Sequence, residues 1–393
     1  MLLKRLGISK NVFVLGWVSF FNDIASEMIY PLIPIFLTTT LGAPVSVVGL
    51  IEGIAEAISS ILKIISGRVS DRVRLRKPFV TIGYLLSSVS KALLGAATGW
   101  PLVLAARFTD RFGKGIRTSA RDALIAESSE LYSIGRSFGF HRALDTLGAV
   151  IGPLIGLAIL SAVQGSYSIV FLLSAIPGLV GVALLISYVK ETRTIKAASP
   201  LPKFQWKTLS PSYKIFLLII IIFSLGNSSD AFLILRAQQM GMSTTNIVLL
   251  YTLFNLVYAL GSIPAGILSD RFGSKRILNA GFFLFALVYA AFGLITESAL
   301  LWLLFPLYGL YMALTEGVSK AFIASLIPRE QSGTAFGIFQ TAIGLSSLVA
   351  SVVAGILWTE ISVPAPFLLG SATALLAALL FFWLMRARAI TVD

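Results

Sequence analysis

Apolar runs of about 20 residues recur from one end of the chain to the other, and that is the length at which an α-helix crosses the hydrocarbon core of a bilayer. Lipid offers no hydrogen bonds, so the backbone of such a run has only a helix or a closed barrel open to it. A barrel would show shorter segments alternating apolar and polar residues. Here the runs are continuous, at about 11–39, 45–66, 78–97, 101–126, 136–163, 167–189, 213–238, 245–265, 277–296, 299–326, 334–358 and 364–385. Charged residues make up only 12% of the chain, against roughly 25% in soluble proteins. The expectation is an all-α membrane protein with twelve spans.

The net charge of +13 invites a nucleic-acid reading, but the positions of the charges argue against it. One alternate set of loops carries Lys4, Arg5 and Lys10; Arg68, Arg72, Arg74, Arg76 and Lys77; Arg193, Lys196, Lys203 and Lys207; Arg271, Lys275 and Arg276; and Arg386 and Arg388. The other set, near 40–46, 97–101, 163–168, 295–299 and 359–365, has no Lys or Arg, and Arg236 is the one basic residue near an end on that side. Positive charge orients membrane spans toward the cytoplasm, so both termini are expected there, in a cell membrane or bacterial inner membrane. The chain has no cysteine, hence no disulfide and no thiolate chemistry. Its N-terminus shows no signal-peptide cleavage pattern.

The chain also repeats itself. GRVSDR at 67–72 returns as GILSDR at 266–271, and GRSFGF at 135–140 returns as GTAFGI at 333–338, offsets of 199 and 198 residues. Two matches at one offset predict two homologous halves: a six-helix bundle over 1–189, a cytoplasmic linker over 190–212 and a second bundle over 213–393. Parallel repeats of this kind hold their substrate at the interface between them, near the midplane.

These features resemble the major facilitator superfamily across essentially the whole chain. The loop after the second span of that family has the form Gly-x-Leu-x-Asp-Arg-x-Gly-Arg-Lys. GRVSDRVRLRK matches at Gly67, Asp71 and Arg72, with Arg74 in place of the second glycine, and GILSDRFGSKR matches at Gly266, Asp270, Arg271, Gly273 and Lys275. The resemblance implies two pseudo-symmetric bundles around a central cavity, a monomer, and a cytoplasmic gate formed by these loops. In the fifth span, GAVIGPLIG places Gly148, Gly152, Pro153 and Gly156 on the Gly-x-x-x-Gly-Pro-x-x-Gly pattern of the family's antiporters. Small residues four apart allow close helix approach, and proline bends the helix. In the fourth span, RFGKG makes Arg111 and Gly115 the match to the Arg-x-x-x-Gly motif, whose arginine takes part in proton coupling, with Lys114 where the family often has a neutral polar residue.

That fourth span is the most unusual stretch. On a helical wheel with Arg107 at zero, Arg111 falls at about +40°, Lys114 at −20°, Arg121 at −40° and Arg117 at −80°. A single basic stripe therefore runs down one face. Insertion scales charge roughly 2.5–3.5 kcal/mol for each such residue at mid-membrane, so two or three central ones cost about 5–10 kcal/mol unless they face water or acidic partners. Candidate partners are Asp23 and Glu27, four apart on span 1, Asp145 on span 5 beside Arg142, and Glu52 and Glu56 on span 2. One reading is a structural salt-bridge network. The other is a cavity in which Arg111, Lys114 and Arg117 hold an anion while Asp23 or Glu27 carries a proton, coupled because substrate and carboxylate compete for the same arginine. His141, the only histidine, is either a proton switch or a solvated residue near the end of span 5. In the second half Asn227, Ser228, Ser229 and Asp230 offer hydrogen bonds at mid-depth; Glu316 and Lys320 are its other charges, and Tyr30, Tyr308 and Tyr311 line the pathway or pack.

The favoured function is a proton-coupled secondary transporter working by alternating access, exporting a small organic or amphiphilic anion as an antiporter. The alternatives are a proton symporter taking up an organic anion, and a lipid or lysolipid flippase. An enzyme is not expected, because there is no Ser/His/Asp spacing, metal-ligand cluster or nucleotide-binding loop, and the absence of a P-loop argues against ATP-driven transport. No cofactor and no metal is implied. The partners are a small-molecule substrate, protons and the lipid bilayer, with no nucleic acid.

Overall fold

A computed structural model describes residues 8–73, 75–129, 134–191, 209–326 and 332–386. Lys4, Arg5, Arg74, Arg193, Lys196, Lys203, Lys207 and Arg388 lie outside the described residues, as do the side chains of Arg68, Asp71, Asp270 and Arg386. The described residues form thirteen α-helices of nine residues or more and no strand. They are α1 Lys10–Glu27, α2 Val45–Val73, α3 Lys77–Gly95, α4 Trp100–Glu127, α5 Ile134–Ala162, α6 Tyr167–Tyr188, α7 Pro211–Ser224, α8 Ala231–Gln239, α9 Thr244–Phe272, α10 Ser274–Leu294, α11 Leu301–Leu326, α12 Ser332–Glu360 and α13 Ala365–Arg386.

Ten of the expected spans are long and apolar enough to cross a membrane. The other two depart for different physical reasons. The fourth, α4, is long enough but carries the basic stripe. The seventh is broken into α7 and α8, separated by the stretch LGNSSD at 225–230. Ser, Asn and Asp there compete for backbone hydrogen bonds, and Gly adds backbone freedom. Span 1 breaks too: α1 ends at Glu27, and the path continues through a 3-10 turn at Tyr30–Leu32 and a π turn at Phe36–Thr40. Pro31 and Pro34 explain this, since proline donates no backbone bond and clashes with the preceding turn. Moved by the repeat offset, residues 28–32 fall on 227–231, so the interruptions occupy equivalent places in the two copies. Interruptions at matching positions are the sequence pointer to binding sites in repeat transporters.

The chain divides into two compact units, residues 1–41 with 58–201, and 42–57 with 202–393. In the first, α1 packs against α5 and α6, and α3 packs against α4 and α6. In the second, the equivalent pairs recur: α7 against α12 and α13, and α10 against α11 and α13. The first unit buries Val12, Leu15, Val18, Val80, Tyr84, Leu124 and Leu185 in one core cluster. The second unit's core is aromatic, with Phe285 stacked on Tyr289 at 4.0 Å and Phe223 on Phe282 at 4.6 Å.

Arg236, at the end of α8, is buried at 7% exposure. It donates to the carbonyls of Phe292 at 2.9 Å and Ile295 at 2.7 Å, and to Gln239 Oε1 at 2.5 Å. It thus supplies donors to carbonyls at the C-terminal end of α10, where the helix dipole favours a cation. Arg236→Met should cost about 2–3 kcal/mol, the usual worth of hydrogen bonds to a charged group. Thermal unfolding of the detergent-solubilised protein checks this; an unchanged midpoint would mean those carbonyls have other donors.

Candidate functional site

The geometry of α4 begins with its glycines. A Cβ on Gly113 would lie 2.5 Å from the Gly83 carbonyl oxygen, and one on Gly83 would lie 2.6 Å from the Gly113 carbonyl, so α3 and α4 touch backbone to backbone. A Cβ on Gly115 would lie 2.9 Å from the Ser59 carbonyl of α2. With the glycines turned to their neighbours, the basic stripe turns elsewhere. Arg107, Arg111, Lys114 and Arg117 line one cavity within the first unit, together with Lys91 and Ser90 of α3 and Asp23, Ser26, Glu27 and Tyr30 of span 1. Arg121, the last of the stripe, pairs with Asp122 at 3.0 Å instead. The cavity has a volume of about 60 Å³, room for more than one water, since a single water needs only about 10–15 Å³.

The lining of the cavity includes Asp110, a residue outside the sequence reading. Its carboxylate lies 3.6 Å from Lys91 Nζ, 3.9 Å from Arg107 Nη1 and 3.9 Å from Arg111 Nε. These are ion-pair distances, longer than the roughly 2.7–2.9 Å of a direct charged hydrogen bond. Lys91 donates one of its three ammonium N–H groups to the Ser87 carbonyl at 2.8 Å, and faces Asp110 Oδ1 at 3.6 Å, beyond direct hydrogen-bond range. Arg117 Nη1 donates to Ser87 Oγ at 2.6 Å, and its guanidinium lies 4.6 Å from the Tyr84 ring centroid; Arg107 lies 5.5 Å from that of Tyr30. Aromatic faces and hydroxyls thus hold the cations where lipid would expel them.

Asp23 and Glu27 line the cavity, as expected of acidic partners, whereas Asp145 does not. Asp145 accepts from Ser19 Oγ at 2.6 Å and from Arg142 Nη1 at 3.2 Å. His141 is not a solvated residue: it is 4% exposed, and its Nε2 has no hydrogen-bond partner. Further along, α5 packs closely on α1. A Cβ on Gly148 would lie 2.7 Å from the Phe20 carbonyl, one on Gly152 3.0 Å from that of Ile24, and one on Gly156 3.1 Å from Met28 Cα. The glycines around Pro153 therefore seat α5 on the part of α1 that presents Asp23 and Glu27.

In the second unit Tyr308 Oη donates to Asp230 Oδ1 at 2.6 Å, and Asn227 Nδ2 donates to Tyr311 Oη at 3.1 Å, both at the break of span 7. Tyr258 is hydrogen-bonded to Glu316. Of the loop residues expected to gate, Gly67 packs near Ser119, Arg72 is exposed, and Arg271 is exposed with its guanidinium 5.4 Å from the Phe272 ring centroid. Gly266 has open space around it, and Gly273 takes a φ of 91°, which turns α9 into α10. Asp71 and Asp270 carry side chains outside the description. Sequence reasoning missed a latch beside the first copy. Arg76 reaches Glu127 at the end of α4 at 3.0 Å, while Glu191 accepts the backbone N–H groups of Arg76 and Lys77 at 2.9 and 3.0 Å. A carboxylate on the first N–H groups of α3 is a favourable helix-terminus contact, and its signal was a Glu just past the end of α6.

The chain matches the family model of the Major Facilitator Superfamily over residues 15–244 and 215–391. It is 40% identical over 383 residues to an uncharacterised transporter of the same superfamily from Methanocaldococcus jannaschii, covering 96% of this chain and 95% of that one. It is 30% identical over 140 residues to a probable galactarate/D-glucarate transporter of Pseudomonas putida, covering 33% of this chain and 31% of that one. Among solved structures it is similar to a POT family transporter in complex with a thioalcohol-conjugated peptide, with a TM-score of 0.82 at 12% identity, covering 97% of this chain and 99% of that one. The chain belongs to the major facilitator superfamily, and is a multi-pass membrane transporter rather than an enzyme.

Proposed function

We propose that the protein is a proton-coupled antiporter that exports small organic anions by alternating access, as a monomer in the cell membrane with both termini cytoplasmic. The observation that carries the reading is the cavity in which Lys91, Arg107, Arg111, Lys114 and Arg117 meet Asp23 and Glu27. Cations held together away from lipid attract an anion, and an anion competes with the carboxylates for them. A carboxylate relieved of its cation binds a proton, which ties proton movement to substrate movement. The contact of the Gly148, Gly152 and Gly156 motif with α1 supports the antiport direction by its resemblance to the family's antiporters. The partial likeness to a probable transporter of galactarate and D-glucarate supports an organic anion. Asn227 and Asp230, at the break of span 7, are proposed to contribute on the second half, and the Gly67–Arg72 and Gly266–Arg271 loops to form the cytoplasmic gate.

The test uses purified protein in liposomes with an imposed pH gradient and a pH-sensitive dye inside, screening organic anions against cationic drugs. Organic anions should evoke proton flux, and Arg111→Ala and Asp23→Asn should each reduce it at least about tenfold, the scale of losing one charged contact. The sign of the flux separates antiport from symport. Cation-driven flux that survives Arg111→Ala would overturn the reading and leave the basic stripe structural. Transport of amphiphiles insensitive to protonophores would favour a flippase.

A further inference from the structure

The first unit carries a second feature, apart from the anion cavity. Lys10, at the start of α1, holds its ammonium 5.7 Å from the centroid of the Tyr188 ring at the end of α6. The next residue, Asn11, clasps the backbone of Lys190. Its Nδ2 donates to the Lys190 carbonyl at 2.9 Å, and its Oδ1 accepts the Lys190 N–H at 3.0 Å. Two lysines are thus brought together where α1 begins and α6 has just ended, and Lys10, Tyr188 and Lys190 are all exposed. Glu191, the carboxylate next in sequence, accepts the backbone N–H groups of Arg76 and Lys77 instead. Further along the same two helices, with α5, lies a groove of about 320 Å³. Only apolar residues line it, among them Phe21, Ile24, Met28, Leu173 and Ile176. Ile176 is 56% exposed, so the groove opens outward, where a membrane span meets lipid.

Helical geometry puts the basic pair and the groove on one line. With Lys10 at zero on α1, Trp17 falls at about −20°, Phe21 at +20°, Ile24 at −40° and Met28 at 0°. At about 1.5 Å per residue, Ile24 lies about 21 Å from Lys10. Half a bilayer with its headgroups is about 20–22 Å, so a phospholipid with its headgroup at Lys10 brings its chain ends to the groove. We propose that this seam holds an anionic phospholipid as a resident partner, its phosphate between Lys10 and Lys190, its glycerol against Tyr188 and one acyl chain in the groove. Tyrosine suits that level, since its ring is apolar and its hydroxyl wet. Any lipid chain fills an apolar groove, and the lysines decide which lipid stays, because they favour a headgroup with net negative charge. The proposal does not depend on what the anion cavity carries.

The experiment reconstitutes the full-length protein in vesicles of equal parts phosphatidylglycerol and phosphatidylcholine, both with dioleoyl chains. The protein is then extracted in mild detergent, and the lipid it retains is counted by mass spectrometry. The wild type should retain phosphatidylglycerol over phosphatidylcholine by at least about tenfold, since each lysine near a lipid headgroup contributes about fivefold. Lys10→Gln should lower that preference about fivefold. Arg276→Gln, which removes an exposed charge from α10 in the second unit, should leave it unchanged. Ile176→Trp, which fills the groove from its open side, should lose most of the retained phosphatidylglycerol. The wild-type comparison decides the matter even if a variant does not fold. Equal retention of the two lipids overturns the proposal, and so does a preference that survives Lys10→Gln. An equal loss in Arg276→Gln would mean diffuse attraction to positive charge, with no site at Lys10. Retention untouched by Ile176→Trp would remove the groove from the binding and overturn the proposal as well.

Discussion

Truncating Asp110 to alanine will destabilise the protein by about 3–5 kcal/mol, the cost of removing one partner from a buried ion pair. The loss falls on the cations left behind. Lys91 is 1% exposed, on the apolar helix α3, and Asp110 is the carboxylate in its salt bridge. Arg107 and Arg111 lose the same counter-ion. A second substitution separates this from simple loss of packing. Adding Lys91→Met to Asp110→Ala removes the most deeply buried of the stranded charges and replaces its stem with an apolar one of similar length. The double variant should recover at least about half of the loss, a coupling within the range for residues in one charge network. Thermal and chemical unfolding in detergent, on Asp110→Ala, Lys91→Met, the double variant and the wild type, measures it. A strictly additive cycle would mean that Lys91 and Asp110 do not depend on each other, and that the arginines alone hold the carboxylate.

Most of the fold was readable because lipid leaves the chain so few options. Apolar length alone located α6 at 167–189, against Tyr167–Tyr188 observed. What hydropathy did not register was the break in span 7, read as one run over 213–238. Mean hydropathy averages over the five consecutive poor helix formers from Gly226 to Asp230, and only backbone chemistry notices them. The site divides in the same way. The stripe from Arg107 to Arg117 follows from helical geometry within one element, so it could be drawn from sequence. Asp110 lies about 60° from Arg107 on that same wheel and was within reach of the same argument. Lys91 was visible as a lysine inside an apolar run, where an ionisable residue marks a functional site by default. Their pairing was not legible, because it depends on the register of α3 against α4. The mutual contact of Gly83 and Gly113 sets that register, and nothing in either helix alone specifies it. Asp145 shows the converse: its depth suggested the cavity, but its bonds to Ser19 and Arg142 lie away from the lining.

Gly152→Val will abolish the folded protein, and Gly152→Ala will lower its stability by about 1–3 kcal/mol, the usual cost of overpacking. In a soluble helix the alanine change would gain nearly 1 kcal/mol from propensity, so the sign of the result is informative. The contacts decide it. A Cβ at Gly152 meets Glu27 Cβ at 2.9 Å, the Ile24 carbonyl oxygen at 3.0 Å and Met28 N at 3.1 Å. Two of these are backbone atoms and the third is the root of a side chain, so none can swing aside. The helices must part, and the part of α1 that moves carries Glu27, with Asp23 one turn before it. Anion-evoked proton flux should therefore fall in Gly152→Ala by more than the loss of folded protein accounts for. Gly317 provides the control. It is on α11 in ordinary helical conformation, with nothing within 4 Å of a Cβ built there, so Gly317→Ala should leave stability unchanged or raise it. Melting temperatures of the two alanine variants, read side by side by tryptophan fluorescence, make the comparison. Equal shifts would mean that α5 does not need its glycine to seat against α1. A fall in Gly152→Ala alone would tie the Gly-Pro motif to the placement of the cavity's carboxylates.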